Sequence, residues 1–248
     1  MTNASPRDHT DAAELAEEAG RLLLEIRPRI DAGEAVTVVK RDGDLRSHDL
    51  LLARLTELHP DDAVLSEEGV DDPVRLDAAR VWIVDPLDGT REFGEPPRTD
   101  WAVHVALVIG GEPVAGAVAL PARGLVLSTA SPPRLPPAEG RPRVVVSRTR
   151  PPASAQQLVD TLDAELVPMG SAGAKAMAIV LGDADIYAHS GGQYEWDSAA
   201  PVAVAASAGL HVSRLDGSPL RYNQRDAWLP DLLICRPELT QPVLAALA

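Results

Sequence analysis

Along the first part of the chain, apolar positions recur with the period of a helix. Leu15, Ala19, Leu22, Leu23 and Ile26 fall at i, i+4, i+7, i+8 and i+11, which predicts a helix over 11–27. Thr10 or Asp11 can cap it and Pro28 stops it. A second amphipathic helix is predicted over 45–58, with Leu51, Leu55 and Leu58 on one face and His59-Pro60 at its end. The period then shortens. Apolar runs at 63–66, 81–84, 101–108, 114–120 and 125–128 read as strands, and Gly110-Gly111 and Pro121 between them predict hairpins.

The segment 131–140 (Ser-Pro-Pro-Arg-Leu-Pro-Pro-Ala-Glu-Gly) is rich in proline, which extends neither sheet nor helix. It predicts an exposed connection between two halves, 1–140 and 141–248. Beyond it the signals alternate. Strands are expected at 144–147, 186–187, 210–213 and 232–235, and helices at 153–163, 172–181, 198–208 and from about 238. An α/β half packed against an antiparallel-rich α+β half follows.

Composition narrows the functional classes. The 248 residues carry 23 Lys plus Arg against 37 Asp plus Glu, a formal charge of −14. Nucleic-acid polymers need a basic face, so a general binder of them is excluded. A small anionic substrate remains compatible if cations stand between it and the carboxylates. Cys235 is the single cysteine, so no disulfide framework exists. The first twenty residues show neither a basic n-region nor an apolar h-region, and no apolar run reaches the ~18 residues of a membrane helix. Together these predict a cytoplasmic protein without membrane partners. Phe93 is the one phenylalanine, so Ala, Val, Leu and Ile must build the core.

Four segments concentrate acidic groups: Asp42-Gly43-Asp44 just before the second helix, Glu67-Glu68 at a strand end, Asp85-Pro86-Leu87-Asp88-Gly89-Thr90, and Glu195-Trp196-Asp197, where Asp197 opens an alanine-rich helix. Taken singly, most read as ordinary structure. Glu-Glu after a strand is a solvated turn, Asp-Gly a common turn dipeptide, and Asp197 a helix cap. The third segment resists that reading. Pro86 turns the chain out of its strand, so Asp85, Asp88 and the Leu87 carbonyl can face one point and offer the oxygen donors that hard cations prefer. Gly89 and Thr90 then present backbone N–H groups and a hydroxyl suited to a phosphate. His104 alternates with apolar residues and reads as a sheet histidine, and Gly191-Gly192 as a turn near the substrate mouth.

Ser-Glu-Glu at 66–68, Asp-Pro-Leu-Asp-Gly-Thr at 85–90 and Trp-Asp-Ser-Ala-Ala at 196–200 together resemble the inositol monophosphatase superfamily of Mg²⁺-dependent, lithium-sensitive phosphatases. Arg-Glu-Phe at 91–93, Gly-Ser-Ala-Gly-Ala-Lys-Ala-Met at 170–177 and Asp-Gly-Ser-Pro-Leu-Arg-Tyr-Asn at 216–223 are most similar to its CysQ-type 3′(2′),5′-bisphosphate nucleotidases. The resemblance implies a layered α/β/α/β/α sugar-phosphatase fold and one catalytic unit built from both halves. It implies Glu67, Asp85 and the Leu87 carbonyl as ligands of one Mg²⁺, and Asp85, Asp88 and Asp197 as ligands of a second. Two or three ions per site are expected, Mn²⁺ is an alternative metal, and Li⁺ is expected to inhibit. Thr90 with Asp44, or with Asp42, would activate water, with Glu68 behind them. Gly89, Thr90, Ser171, Lys175 and Glu195 would touch a small phosphorylated substrate. The implied reaction removes the 3′-phosphate of 3′-phosphoadenosine 5′-phosphate. The alternatives are an inositol or fructose bisphosphate phosphatase and a non-catalytic metal-dependent binding protein. A homodimer is left open.

Overall fold

A computed structural model describes residues 3–149 and 151–248. Five layers stack as helix, sheet, helix, sheet, helix. The outer layer pairs α1 (Pro6–Ile26) with α2 (Val36–Leu58). They cover a five-stranded sheet of β1 (Ala63–Ser66), β2 (Arg80–Asp88), β3 (Ala102–Ile109), β4 (Glu112–Leu120) and β5 (Leu125–Ser128), in that spatial order. A short helix α3 (Thr90–Phe93) follows β2. The second sheet contains β6 (Arg143–Ser147), β7 (Glu165–Met169), β8 (Ile186–Tyr194), β9 (His211–Ser213) and β10 (Trp228–Cys235), ordered β7-β6-β8-β10-β9. Helices α5 (Ala172–Leu181) and α6 (Glu195–Ser207) fill the space between the sheets. Helices α4 (Ala153–Leu162) and α7 (Thr240–Leu247) cover the far side. Among the described residues no helix is long and apolar enough to cross a membrane.

Several boundaries differ from the pattern-based expectation, each for a local reason. Helix α1 starts at Pro6 because Ser5 and Asp8 cap each other's backbone amides ahead of Thr10. Helix α2 begins at Val36, so Asp42, Gly43 and Asp44 lie within it and form no loop. Gly43 survives there because it passes Phe93, Leu23 and Leu87, which a Cβ would approach to 3.2–3.4 Å. Strand β2 does not end at Asp85-Pro86 but continues to Asp88 through a register shift against β3. Strand β7 lies in a stretch that gave no signal, since Glu165 to Met169 form an edge with mixed exposure. Strand β8 runs seven residues past its predicted end. It carries Gly191-Gly192 as an irregularity within the ladder, where β10 skips from Leu229 to Asp231.

The middle layer depends on small side chains. Helix α6 packs on β4 so closely that a Cβ on Gly116 would come within 3.0 Å of Ala203 Cβ and 3.3 Å of Ala200 Cα. Alanine dominates this seam, and Ala199, Ala200, Ala203 and Ala205 are all buried. Substituting Ala203→Leu overfills it and is expected to lower stability by about 1–3 kcal/mol. A denaturant midpoint equal to that of the parent protein would show that the seam can yield.

Candidate metal centre and active-site cleft

The site begins at the register shift in β2. Pro86 cannot donate to the ladder, and pairing with β3 jumps from Asp85 to Asp88. The Leu87 amide turns back to donate to Asp85 Oδ1 at 3.0 Å, while Ser47 Oγ donates to the Pro86 carbonyl at 2.8 Å. Gly89 follows at φ 84°, and a Cβ there would lie 3.0 Å from Ser171 Cβ. Glycine suits both demands. The chain then enters α3 with Thr90 in the cleft.

Two helix N-termini from the other half of the chain complete the site. Asp88 caps α5: its carboxylate accepts from the Ala172 amide at 3.0 Å, the Gly173 amide at 2.6 Å and the Ser171 hydroxyl. Asp197, in the first turn of α6, accepts from the Tyr194 amide at 2.7 Å. One carboxylate oxygen each from Asp85, Asp88 and Asp197 lies within 4.8 Å of the others. Glu67 stands outside that triad at the end of β1. It is exposed, and its charge bears on Asp85.

Charge crowding shows in the proton affinities. Burial, then the charges of Glu67, Asp88 and Asp197, push Asp85 well above the usual carboxylate range. Burial and the other acids push Glu67 up to about 7, and burial with Asp88 pushes Asp197 up to about 6. Asp88 goes the other way. Burial disfavours its charge, but His104, Ser171 and Lys175 outweigh burial and hold it well below the ordinary value. An all-oxygen donor set that crowds negative charge suits a hard divalent cation, which would balance that charge.

Around this centre, Thr90 Oγ1 lies 3.4 Å from Asp44 Oδ1 and 3.2 Å from the Leu87 carbonyl. Burial and the Glu68 charge raise Asp44 to about 7. Asp42 points elsewhere, paired with Arg29 and, at 3.8 Å, with Arg46. Glu68 is exposed and acts on Asp44 through its charge alone. Lys175 is no solvated helix residue. Its side chain is buried, Nζ donates to the Ser171 carbonyl at 2.5 Å, and it lies 5.4 Å from the Tyr187 ring centre. Glu195 is turned away from the cleft. Its carboxylate accepts from the Asn223 and Gln224 amides at 2.6 and 2.8 Å, and the buried Arg75 bonds the Asn223 side chain. A helix starting at Glu195 rather than at 198 points that side chain at the 223–224 turn.

His104 was missed by reading its strand pattern alone. Fully buried, its Nδ1 donates to the Trp196 carbonyl at 3.0 Å, and Nε2 lies 3.2 Å from Asp88 Oδ2. Burial works against its charge, yet the Asp88 carboxylate raises its proton affinity above the ordinary value. Gly173 makes this approach possible, because a Cβ there would sit 2.0 Å from Nε2. Gly170 is matched in the same way to Glu92. The alternation of Gly and small residues over 170–174 was the available signal.

A cleft of about 430 Å³ runs from Asp88 and Asp197 past Gly89, Thr90 and Lys175 to Tyr194 and Trp228. Asp85, Asp88 and Asp197 could together hold a hard divalent cation beside this open cleft. The inositol monophosphatase family model matches residues 8–134 and 138–247, and the chain belongs to that family. It is 52% identical over 243 residues to the 3′-phosphoadenosine 5′-phosphate phosphatase of Mycobacterium bovis, covering 93% of this chain and 90% of the relative. It is 31% identical over 242 residues to the 3′(2′),5′-bisphosphate nucleotidase CysQ of Escherichia coli K12, covering 87% and 94%. Among solved structures, CysQ from Bacteroides thetaiotaomicron superposes with a TM-score of 0.80 at 27% identity, covering 93% of this chain and 97% of that one.

The raised acids set a pH dependence for the metal-free protein. A carboxyl group whose folded pKa exceeds its unfolded value near 4 stabilises the fold below that value and loses the contribution as pH rises through the folded pKa. Asp44 and Glu67 near 7 and Asp197 near 6 therefore all weaken the chelated protein between pH 4 and 8. In chelator the melting temperature should fall across this range. Mg²⁺ at 100 times its dissociation constant should restore about 2.7 kcal/mol at pH 8. A melting temperature indifferent to both pH and Mg²⁺ would mean the carboxylates carry no mutual strain.

Proposed function

We propose that this chain is a Mg²⁺-dependent phosphatase that removes the 3′-phosphate of 3′-phosphoadenosine 5′-phosphate to leave AMP, in the cytoplasm, as part of sulfur assimilation. The observation that carries the reading is the 52% identity over nearly the whole chain to relatives of that name, with the acidic centre present in the cleft. Glu67, Asp85 and the Leu87 carbonyl would hold one ion, and Asp85, Asp88 and Asp197 a second. Bound there, divalent ions neutralise the phosphate dianion and make a water molecule more acidic. The chain's own groups do the rest. Asp44, with a proton affinity near neutrality, accepts the proton that Thr90 Oγ1 directs toward its Oδ1. Ser171 and Lys175 keep Asp88 ionised and anchor the start of α5 against the cleft. Gly89 and Thr90 line the cleft and would offer backbone amides and a hydroxyl to the phosphate.

Phosphate release from 3′-phosphoadenosine 5′-phosphate, inositol 1-phosphate and fructose 1,6-bisphosphate tests the reading directly. Release should need Mg²⁺ or Mn²⁺, fall with Li⁺ and favour the nucleotide by kcat/KM. Full turnover in excess chelator, or preference for a base-free substrate, overturns it. Asp44→Asn removes the proton acceptor while keeping the shape of the side chain. It should lower kcat by at least ~10²-fold on the nucleotide. Asp42→Asn, on the ion pair with Arg29, should leave kcat within a factor of about two. Equal losses in the two variants would place the proton acceptor elsewhere.

A further inference from the structure

The aromatic side chains of this protein are few and unevenly placed. The sequence holds four Trp, three Tyr and one Phe. Trp82, Trp101, Phe93, Tyr187 and Tyr222 are buried, as packing requires. The two left open are Tyr194 at 48% and Trp228 at 45% exposure, and both lie at one end of the cleft that holds the carboxylates. They are cross-strand partners in the β8–β10 ladder, so they stand side by side on one face of the sheet. Tyr194 is stacked on Trp196 with ring centres 4.7 Å apart and planes within 9°, which covers one ring face and orients the other. Trp228 lies on Gly192. A Cβ on that residue would come within 2.4 Å of the indole, and its φ of 87° also demands glycine. Both rings are thus backed and held in place while offering surface to solvent beside a polar site. Large apolar rings left exposed in a fixed arrangement mark a binding surface.

We propose that Tyr194 and Trp228 form the platform on which the purine base of the substrate stacks, and so select nucleotides over base-free phosphoesters. The inference rests on the proposed nucleotide substrate and assigns the part of the site that would recognise it. A purine offers a flat π-face, stacking on aromatic rings tolerates small displacements, and it is worth roughly tenfold or more in affinity per base. The chain also couples the platform to the centre. The Tyr194 amide donates to Asp197 Oδ2 at 2.7 Å, so a ring that contacts the base sits one helical turn from a carboxylate of the metal centre. Gly191-Gly192 gains a role as well: at this irregularity in the ladder, the missing Cβ of Gly192 lets the indole approach the backbone closely.

The test compares the parent protein with Trp228→Ala, Trp228→Phe and Tyr194→Ala on two substrates, 3′-phosphoadenosine 5′-phosphate and inositol 1-phosphate. Binding of AMP is followed separately, without turnover, by calorimetry and by tryptophan fluorescence. Trp228→Ala should raise KM for the nucleotide about 10-fold and lower the nucleotide-to-inositol ratio of kcat/KM by a similar factor. Tyr194→Ala should act in the same direction, and Trp228→Phe should recover most of the loss. AMP should quench the fluorescence of the parent protein, and the quench should shrink in Trp228→Phe. Equal losses on both substrates, or AMP affinity unchanged in Trp228→Ala, overturn the platform while leaving the phosphatase reading intact. A parent protein that neither binds AMP nor hydrolyses the nucleotide overturns the functional reading, and the platform with it.

Discussion

The structure is organised around the cost of holding three carboxylates within 4.8 Å of one another inside a protein. Two unit charges ~4 Å apart repel by about 4 kcal/mol even at an effective dielectric near 20. No arrangement of neutral side chains removes that cost. The fold meets it with different devices at each acid. Asp85, buried beside the charges of Glu67, Asp88 and Asp197, is driven toward its neutral form. Asp88 stays ionised because two amides at the start of α5, a serine hydroxyl, His104 and the Lys175 charge converge on it. Asp197 lies between these extremes, tied to the backbone of Tyr194. A cation held by these oxygens would offset the cost, so the cluster could tie the stability of the fold to metal binding.

That constraint explains how the two sheets are joined. Asp88 closes the last strand turn of the first sheet, and the groups that satisfy it belong to the first turn of α5 in the layer between the sheets. His104 extends the link, joining β3 to Asp88 and to the Trp196 carbonyl just before Asp197. Neither half contains a complete site. Ser171 adopts φ 52°, a left-handed conformation that a serine avoids, at the one position whose hydroxyl meets Asp88. Backbone strain of this kind, of order 1–3 kcal/mol, persists where surrounding contacts over-determine it.

Much of this was legible in the residues. The carboxylates after 66, 84 and 196 were visible because each adjoins a strong local signal: Glu67 and Asp85 follow apolar runs, and Asp197 opens an alanine-rich helix. The five-layer fold came from the resemblance those motifs carry. What escaped was decided by tertiary contact. The early start of α2 could not be seen because Asp42-Gly43-Asp44 has turn propensity, and only the close approach of Leu23, Leu87 and Phe93 makes glycine the right helix residue there. The extension of β2 past Pro86 required the partner β3 to tolerate a register shift. Glu195 looked like a cleft residue from its neighbour Asp197, but two positions on a helix differ by about 200° in direction. One carboxylate therefore faces the cleft and the other the 223–224 turn.

The shortage of large side chains has a structural consequence of its own. Where aromatic rings are scarce, layers approach through alanine and glycine, and specificity of packing rests on positions where no Cβ can be added. Gly116 sets the distance between β4 and α6, Gly173 that between α5 and His104, and Gly170 that between the same loop and Glu92. Gly170 and Gly173 fix the first turn of α5 and Gly116 seats α6 further along, and the first turns of the two helices carry the groups that meet at Asp88 and the carboxylate of Asp197. Close backbone packing in the middle layer is thus what holds the acids at their spacing. With the core built from small residues, two of the few aromatic rings can stand at the cleft rather than inside.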